Sequence, residues 1–395
     1  VVDILGNFDI ANTGYVNIYG GQLNLASTSG SLTFNNPFNI SDGTLNASND
    51  VTFKHLLWNG GNITGSGKLI TPLGGIATLD STGSKQLIGK TWENQGTINF
   101  LNGTLYLESG YYASQETPSA IRNLTSGIYN ISTPAYAPLY TEYANNTLFN
   151  DGTINWQANL NPDNSSHLIG VPVINNGVLN IFGSNAFAKI TTSLQQNGTL
   201  ALHDNASLWL PNLTNTGTIS GVGSINLADG YGKLINTGVI SPGGDGIIGN
   251  LNLIGDADHS NGLLKIDVQG NTSGTYDLFH VSGNLTLGGT LATNLPANYA
   301  PTIGDFAPFL TQDGQSSGTF AQALTPPDFV VGYRLAAGES SRLIYGGTST
   351  RVFTNAYGGL NWENPGNWSG NILPRSTDDV LISSAGNAYA VTHGS

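Results

Sequence analysis

The chain has no cysteine and no methionine, and only 9 % of its 395 residues carry charge. Missing Cys and Met remove the oxidation-sensitive side chains, which suits life outside the cell. The lack of an initiator Met leads to the expectation of a processed product or a segment of something larger. Charge far below the roughly 25 % of ordinary soluble domains leaves Asn, Ser and Thr to make the surface polar. Only 12 Lys and Arg stand against 25 Asp and Glu, for a net charge of −13. That balance excludes an electrostatic nucleic-acid surface. No run of about 18 apolar residues occurs, so no membrane span is expected, and no signal peptide stands at Val1. No stretch carries a convincing 3.6-residue apolar period, so helix should fall below about 10 %.

What is abundant is Gly and Asn, 53 and 46 residues, together one residue in four. They are arranged in phrases. Asn175-Asn176-Gly177-Val178-Leu179 is followed by Asn197-Gly198-Thr199-Leu200, Asn215-Thr216-Gly217-Thr218-Ile219 and Asn236-Thr237-Gly238-Val239-Ile240. The glycines step by 21, 19 and 21 residues. Earlier copies begin at Asn94 and Asn150. A fixed period of this size marks a solenoid. Each phrase reads as a turn, where Asn and Gly tolerate positive φ, followed by a short alternating strand of β-branched residues. One coil cannot bury its apolar face alone, so coils must stack. Stacking should place Ile154, Val178, Leu200, Ile219 and Ile240 in one buried column, with a one-residue slip the chief hazard. It should also let Asn side chains form amide ladders between coils.

The expected fold is all-β, a right-handed parallel β-helix (solenoid) followed by a small β-rich closing region. Residues 1–262 read as the β-solenoid, with a Tyr/Pro-rich insertion at 109–148. Residues 263–350 read as the closing region. Residues 351–395 read as the start of a next module or an inter-subunit segment.

Two passages carry a resemblance. Gly238-Val-Ile-Ser-Pro-Gly243, Gly249-Asn-Leu-Asn-Leu-Ile-Gly255 and Gly274-Thr-Tyr-Asp-Leu-Phe-His-Val-Ser-Gly283 with Leu287-Gly-Gly-Thr-Leu291 resemble the rod-ending passage of bacterial autotransporter passengers and related giant surface adhesins. That resemblance implies a right-handed parallel β-helix at the cell surface. Trp362-Glu-Asn-Pro-Gly-Asn-Trp368-Ser-Gly with Asp378-Asp379-Val380-Leu381-Ile382 is similar to an opening motif of giant bacterial surface proteins. Here it stands late in the chain.

Polysaccharide lyases and hydrolases also use parallel β-helices and need paired acids or stacked acid–base faces. Asp151, Asp163, Asp204, Asp229 and Asp245 do not recur at the coil period. His203-Asp204 are adjacent strand residues, which point to opposite faces. No enzyme and no catalytic residue is therefore expected. Asp256, Asp258 and His259, and Asp378-Asp379, are short oxygen-donor groups; calcium wants six to eight oxygens. No cofactor is expected, with structural calcium as the alternative to turn-forming Asp. Tyr111, Tyr112, Tyr129, Tyr136, Tyr140 and Tyr143, joined by Tyr106, fit a contact surface, where Tyr is enriched; the alternative is a self-packed loop. Trp362 and Trp368 read as core-filling aromatics or as a sugar-stacking pair.

The function expected is structural. The chain would be a building block of an extracellular bacterial filament or giant surface protein, its partners further copies of itself joined head to tail. The alternative is a surface adhesin binding glycans or host and environmental surfaces. A polysaccharide lyase or hydrolase comes third.

Overall fold

The structure, a computed structural model, describes residues 1–5, 14–27, 30–112, 115–142, 145–158, 167–183, 187–326, 328–334, 336–347, 351–357, 360–374, 378 and 380–382. Strand makes up 56 % and helix 3 %, in line with the scarcity of helical periodicity. The helix includes single 3-10 turns at Ala228–Gly230, Pro365–Asn367 and Ser369–Asn371. The chain forms two compact units, Val1–Pro211 and Asn212–Ser395.

Through the middle of the first unit each coil contributes three short strands, whereas Val51–Trp58 and Thr199–Leu210 each run across two faces as one strand. Lys85–Ile88, Thr91–Asn94 and Thr97–Asn102 make one coil. Leu105–Glu108, Ala120–Asn123 and Ile128–Ile131 make the next. Each strand pairs in parallel with its counterpart one coil on, giving a parallel β-helix of three faces. Alternation within each strand sends every second side chain inward. On the third face Ile98, Tyr129, Ile154, Leu179 and Leu200 are in register and buried. Beside them Phe100, Ile131, Trp156, Ile181 and Leu202 form a second buried column. Burying each such side chain is worth about 1.5–3 kcal/mol, and no coil could do so without its neighbours.

One member of the expected column is corrected. Leu179, not Val178, is registered between Ile154 and Leu200. Val178 pairs with Thr153 and Thr199 and is half-buried. The inward position is the second residue after the glycine. Val178, the first, looked apolar enough to take it.

The 109–148 stretch is not one insertion standing off the solenoid. Ala120–Asn123, Ile128–Ile131 and Leu139–Tyr140 continue the three faces in parallel register. The departure nearest 109 is a hairpin of Gly110–Tyr112 with Gln115–Thr117.

The second unit repeats the plan. Ile219, Ile240, Leu264 and Leu291 form a buried column in parallel register. The closing region then breaks parallel pairing. Phe306–Gln312 pairs antiparallel with Ser340–Tyr345, which pairs antiparallel with Phe329–Gly332. A reversed strand gives a parallel sheet an end that the next coil cannot copy. Arg351–Phe353 and Val380–Ile382 form a separate parallel pair.

Candidate functional site

The feature repeated most faithfully is polar and buried. Asn94, Asn123, Asn150 and Asn175 each end the second strand of a coil, and their side chains point inward, shielded from solvent. Register places them over one another and over Gln196. Nδ2 of each donates to the side-chain oxygen one coil on, at 2.7, 2.8, 2.7 and 2.8 Å. Each Nδ2 also donates to a main-chain carbonyl in the third strand of the next coil, at Ile128, Thr153, Val178 and Thr199. The carbonyl fixes the amide's orientation, since only nitrogen can face it and oxygen is left to accept. In the second unit Asn215 donates to Asn236 at 2.6 Å, and Asn236 contacts His259 Nδ1 at 2.9 Å. A buried amide satisfied on both sides is tolerated, whereas one left unmet costs about 1–3 kcal/mol; of the ladder oxygens among the described residues, only the first of each ladder, Asn94 Oδ1 and Asn215 Oδ1, accept nothing.

Two residues beyond Asn94, Asn150, Asn175, Gln196, Asn215 and Asn236 stands glycine, whereas Asn123 is followed by Gly127 four residues on. A Cβ on Gly177 would lie 2.1 Å from the Gly152 carbonyl oxygen. One on Gly198 would lie 2.1 Å from that of Gly177, and one on Gly238 2.1 Å from that of Gly217. None of these glycines has positive φ. The expectation of left-handed turns is corrected there: glycine is required because backbone stacks on backbone with no room for a side chain.

Half-buried ladders flank the third face. Asn130 donates to Asn99, Asn155 to Asn130 and Asn180 to Asn155, at 2.9, 2.9 and 3.0 Å. At the turn, Asn197 donates to Asn176 and Asn176 to Asp151. Near the start, Asn46 donates to Asn24 and Asn24 to Asp3. These donors point toward lower residue numbers, whereas the buried ladder's point toward higher ones.

In the Ser241-Pro242-Gly243 passage carboxylates replace amides. Gly243 has φ +73°, and its Cβ position is filled by the Ile247 carbonyl, so this loop does need glycine's freedom. Asp267 Oδ2 accepts from Gly246 N at 2.7 Å, and Asp277 Oδ1 accepts from Gly249 N at 2.8 Å. Asp277 Oδ2 accepts from Asp267 N at 2.8 Å. Asp277 is fully buried, and burial pushes its carboxyl up to about 7. The motif residues thus form a clamp that ties a glycine loop to the following coil.

The residues singled out in the sequence do not form one surface. Tyr129 lies wholly in the core, in register with Ile98 and Ile154, so its place in a contact surface is corrected. Tyr140 is half-buried and packs edge-on against Tyr106 at 6.1 Å. Tyr136 is exposed. Tyr111 and Tyr112 lie on the hairpin strand, and Tyr143 lies outside the described residues, as do Asp163, Asp379 and 383–395. Trp368 is buried, edge-on to both Phe353 and Trp362, and its Nε1 donates to the Trp362 carbonyl at 2.8 Å. It fills a core.

Nor do the acids and histidines converge. Asp256 accepts from Asn284 N, while Asp258 takes Ser260 and Lys233. His259 turns inward onto the amide ladder. His203 stacks on Phe182 at 4.5 Å and meets Asn180 Oδ1, whereas Asp204 sits in a left-handed turn. Among the described residues no three His, Cys, Asp or Glu side chains gather as metal ligands would, and no helix is long and apolar enough to cross a membrane.

Sequence reading missed two buried lysines. Lys85 Nζ donates to the carbonyls of Ser81, Gly83 and Asn102, and Lys90 Nζ to that of Ala47. Burial lowers both ammonium groups to about 8. Nothing in their spacing sets them apart from surface lysines. His167 was also missed as a core group. It accepts from Trp156 Nε1 at 2.7 Å, and burial lowers it to about 4. A scan against protein-family models finds no match for the chain, and no curated protein matches it either; what the molecule is rests on its parallel β-solenoid architecture.

Proposed function

We propose that the chain is a structural building block of an extracellular bacterial filament or giant surface protein, continuing head to tail into further copies of itself. The observation that carries this reading is the buried carboxamide ladder from Asn94 to Gln196. It places polar chemistry where it holds coil to coil and faces no solvent-borne substrate. The molecule's most regular feature therefore serves rigidity. A surface poor in charge and a chain without Cys or Met suit work outside the cell. The likeness to autotransporter passengers falls on 238–291, where Gly246, Gly249, Asp267 and Asp277 form a structural clamp. Head-to-tail growth is supported by the parallel ladder itself, in which each coil pairs with the one before it in the same register. An open parallel edge is a template for the next strand, in the same chain or another copy.

Electron microscopy and sedimentation of the purified chain at rising concentration test this. Linear polymers with one chain per axial repeat are expected. A monodisperse monomer at the highest soluble concentration, together with native material showing no filament or extended surface protein, would sink the proposal.

A further inference from the structure

We propose that the second unit carries a binding cleft for a neutral oligosaccharide, between the closing sheet and the segment 351–371. Two cavities of about 330 Å³ each adjoin there and share Ala356 and Tyr357 in their walls. Each is at the small end of the roughly 300–1,000 Å³ range of ligand pockets, a size for single sugar-sized groups in adjacent subsites.

The cleft is built rather than incidental. Tyr357 is 68 % exposed, yet the backbone beneath its ring is fixed, because Tyr357 N donates to the buried Asn367 side chain at 2.9 Å. Asn367 is held in turn by donating to the Asn361 carbonyl at 3.0 Å. Asn355, only 8 % exposed, walls the first cavity in a left-handed conformation of φ 51°. Its Oδ1 accepts no hydrogen bond among the described residues. A buried acceptor without a donor calls for an explanation, and a ligand hydroxyl entering the cavity supplies one. On the same wall Arg334 and Glu339 pair at 3.0 Å, both half-buried. Phe320 and Tyr333 line the second cavity.

This combination selects the ligand class. The Arg–Glu pair is neutral as a unit but offers donors and acceptors side by side, which matches hydroxyls that both give and accept. An anion would meet Glu339, a cation would meet Arg334, and a purely apolar ligand would leave Asn355 unmet. Exposed aromatic faces take the apolar C–H faces of sugar rings. The site is separate from the Tyr-rich stretch at 109–148 and independent of whether the chain polymerises.

Isothermal titration of the full chain tests it, with cellotetraose, maltotetraose, mannotetraose and chitotetraose as probes and tetragalacturonate as the acidic control. At least one neutral sugar should bind in the millimolar range or tighter, with the acidic sugar weaker. Tyr357→Ala should weaken binding at least about tenfold without shifting thermal unfolding, since the ring is exposed. Tyr357→Phe should keep the affinity. Asn355→Gly, which retains the left-handed backbone, should weaken it as well. Absence of binding by all four neutral sugars, preference for tetragalacturonate, or unchanged binding by Tyr357→Ala would each overturn the proposal.

Discussion

The coils from Asn94 to Gln196 and the clamp around Asp277 both bury polar groups between successive coils, with opposite chemistry. In the coils the group is a carboxamide, which donates and accepts. Each rung can therefore satisfy the one before it and require the one after. In the clamp it is a carboxylate, which when ionised only accepts. Asp277 takes Gly249 N and Asp267 N and passes nothing on. The same distinction recurs outside the core, where Asn197 leads to Asn176 and ends on Asp151, and Asn46 leads to Asn24 and ends on Asp3. Amides propagate a ladder; carboxylates terminate one.

The sharpest way to break the comparison is at glycine. Gly177→Ala puts a methyl against the Gly152 carbonyl, backbone against backbone, and should cost roughly 3–5 kcal/mol. Gly244→Ala meets nothing within 4 Å and should cost only about 1–2 kcal/mol from its left-handed backbone. Denaturant unfolding followed by tryptophan fluorescence, with hydrogen exchange to locate the loss, separates the two. Equal costs would mean that close stacking is not what the coils demand.

Next in size are the polar rungs. Asn150→Ala strands the Asn123 donor, the Asn175 oxygen and the Val178 carbonyl. It should cost roughly 3 kcal/mol and raise exchange in both neighbouring coils. Asp277→Asn leaves one of two main-chain donors without an acceptor, for about 1–2 kcal/mol. Its effect should stay local to the 241–277 loop.

pH separates the regions by sign. Burial lowers His167 from 6.5 to about 4, so the folded form stays neutral where the unfolded form takes up a proton. Stability from that site is complete above about 6.5 and falls as pH drops from there to about 4. Burial raises Asp277 from 3.8 to about 7. Between those values the folded state keeps a proton the unfolded state has lost, so stability falls as pH rises through the window. His259, also lowered to about 4 by burial, opposes Asp277 within the second unit. Exchange protection near His167 should fall on acidification from pH 7 to 4, while protection near Asp277 changes less. In Asp277→Asn the second unit should become as acid-labile as the first, because His259 then acts unopposed. An unaltered pH profile in that variant would refute the assignment.

The smallest effect is expected at Tyr129, whose buried hydroxyl has no hydrogen-bond partner among the described residues. Tyr129→Phe should leave stability unchanged or raise it by up to about 1 kcal/mol in the same unfolding assay.

Much of the fold could be read in the chain because its two signals, glycine spacing and strand alternation, are local. The stretch 109–148 was misread because Asn123 and Gly127 are separated by three residues instead of one. That longer turn hides a coil whose strands are otherwise regular. Tyr129 occupies an isoleucine's place, and tyrosine's usual role at surfaces drew it out of the core. The Asn ladders were anticipated as a class, since coil stacking repeats Asn at one register. The clamp was not, because Asp267 and Asp277 meet Gly246 and Gly249 only after a full coil has been traversed. Sequence spacing cannot register a contact of that kind.

The successive rungs Asn94, Asn123, Asn150, Asn175 and Gln196 are 29, 27, 25 and 21 residues apart. Coil length drifts while the rung stays the same. Because every rung presents to its successor what its predecessor presented to it, a stretch of gene encoding one coil can be duplicated or deleted in tandem without creating an unmatched junction. Length becomes a heritable variable separate from chemistry. Gain or loss of a coil by such a gene changes the reach of the protein while the rung chemistry stays matched.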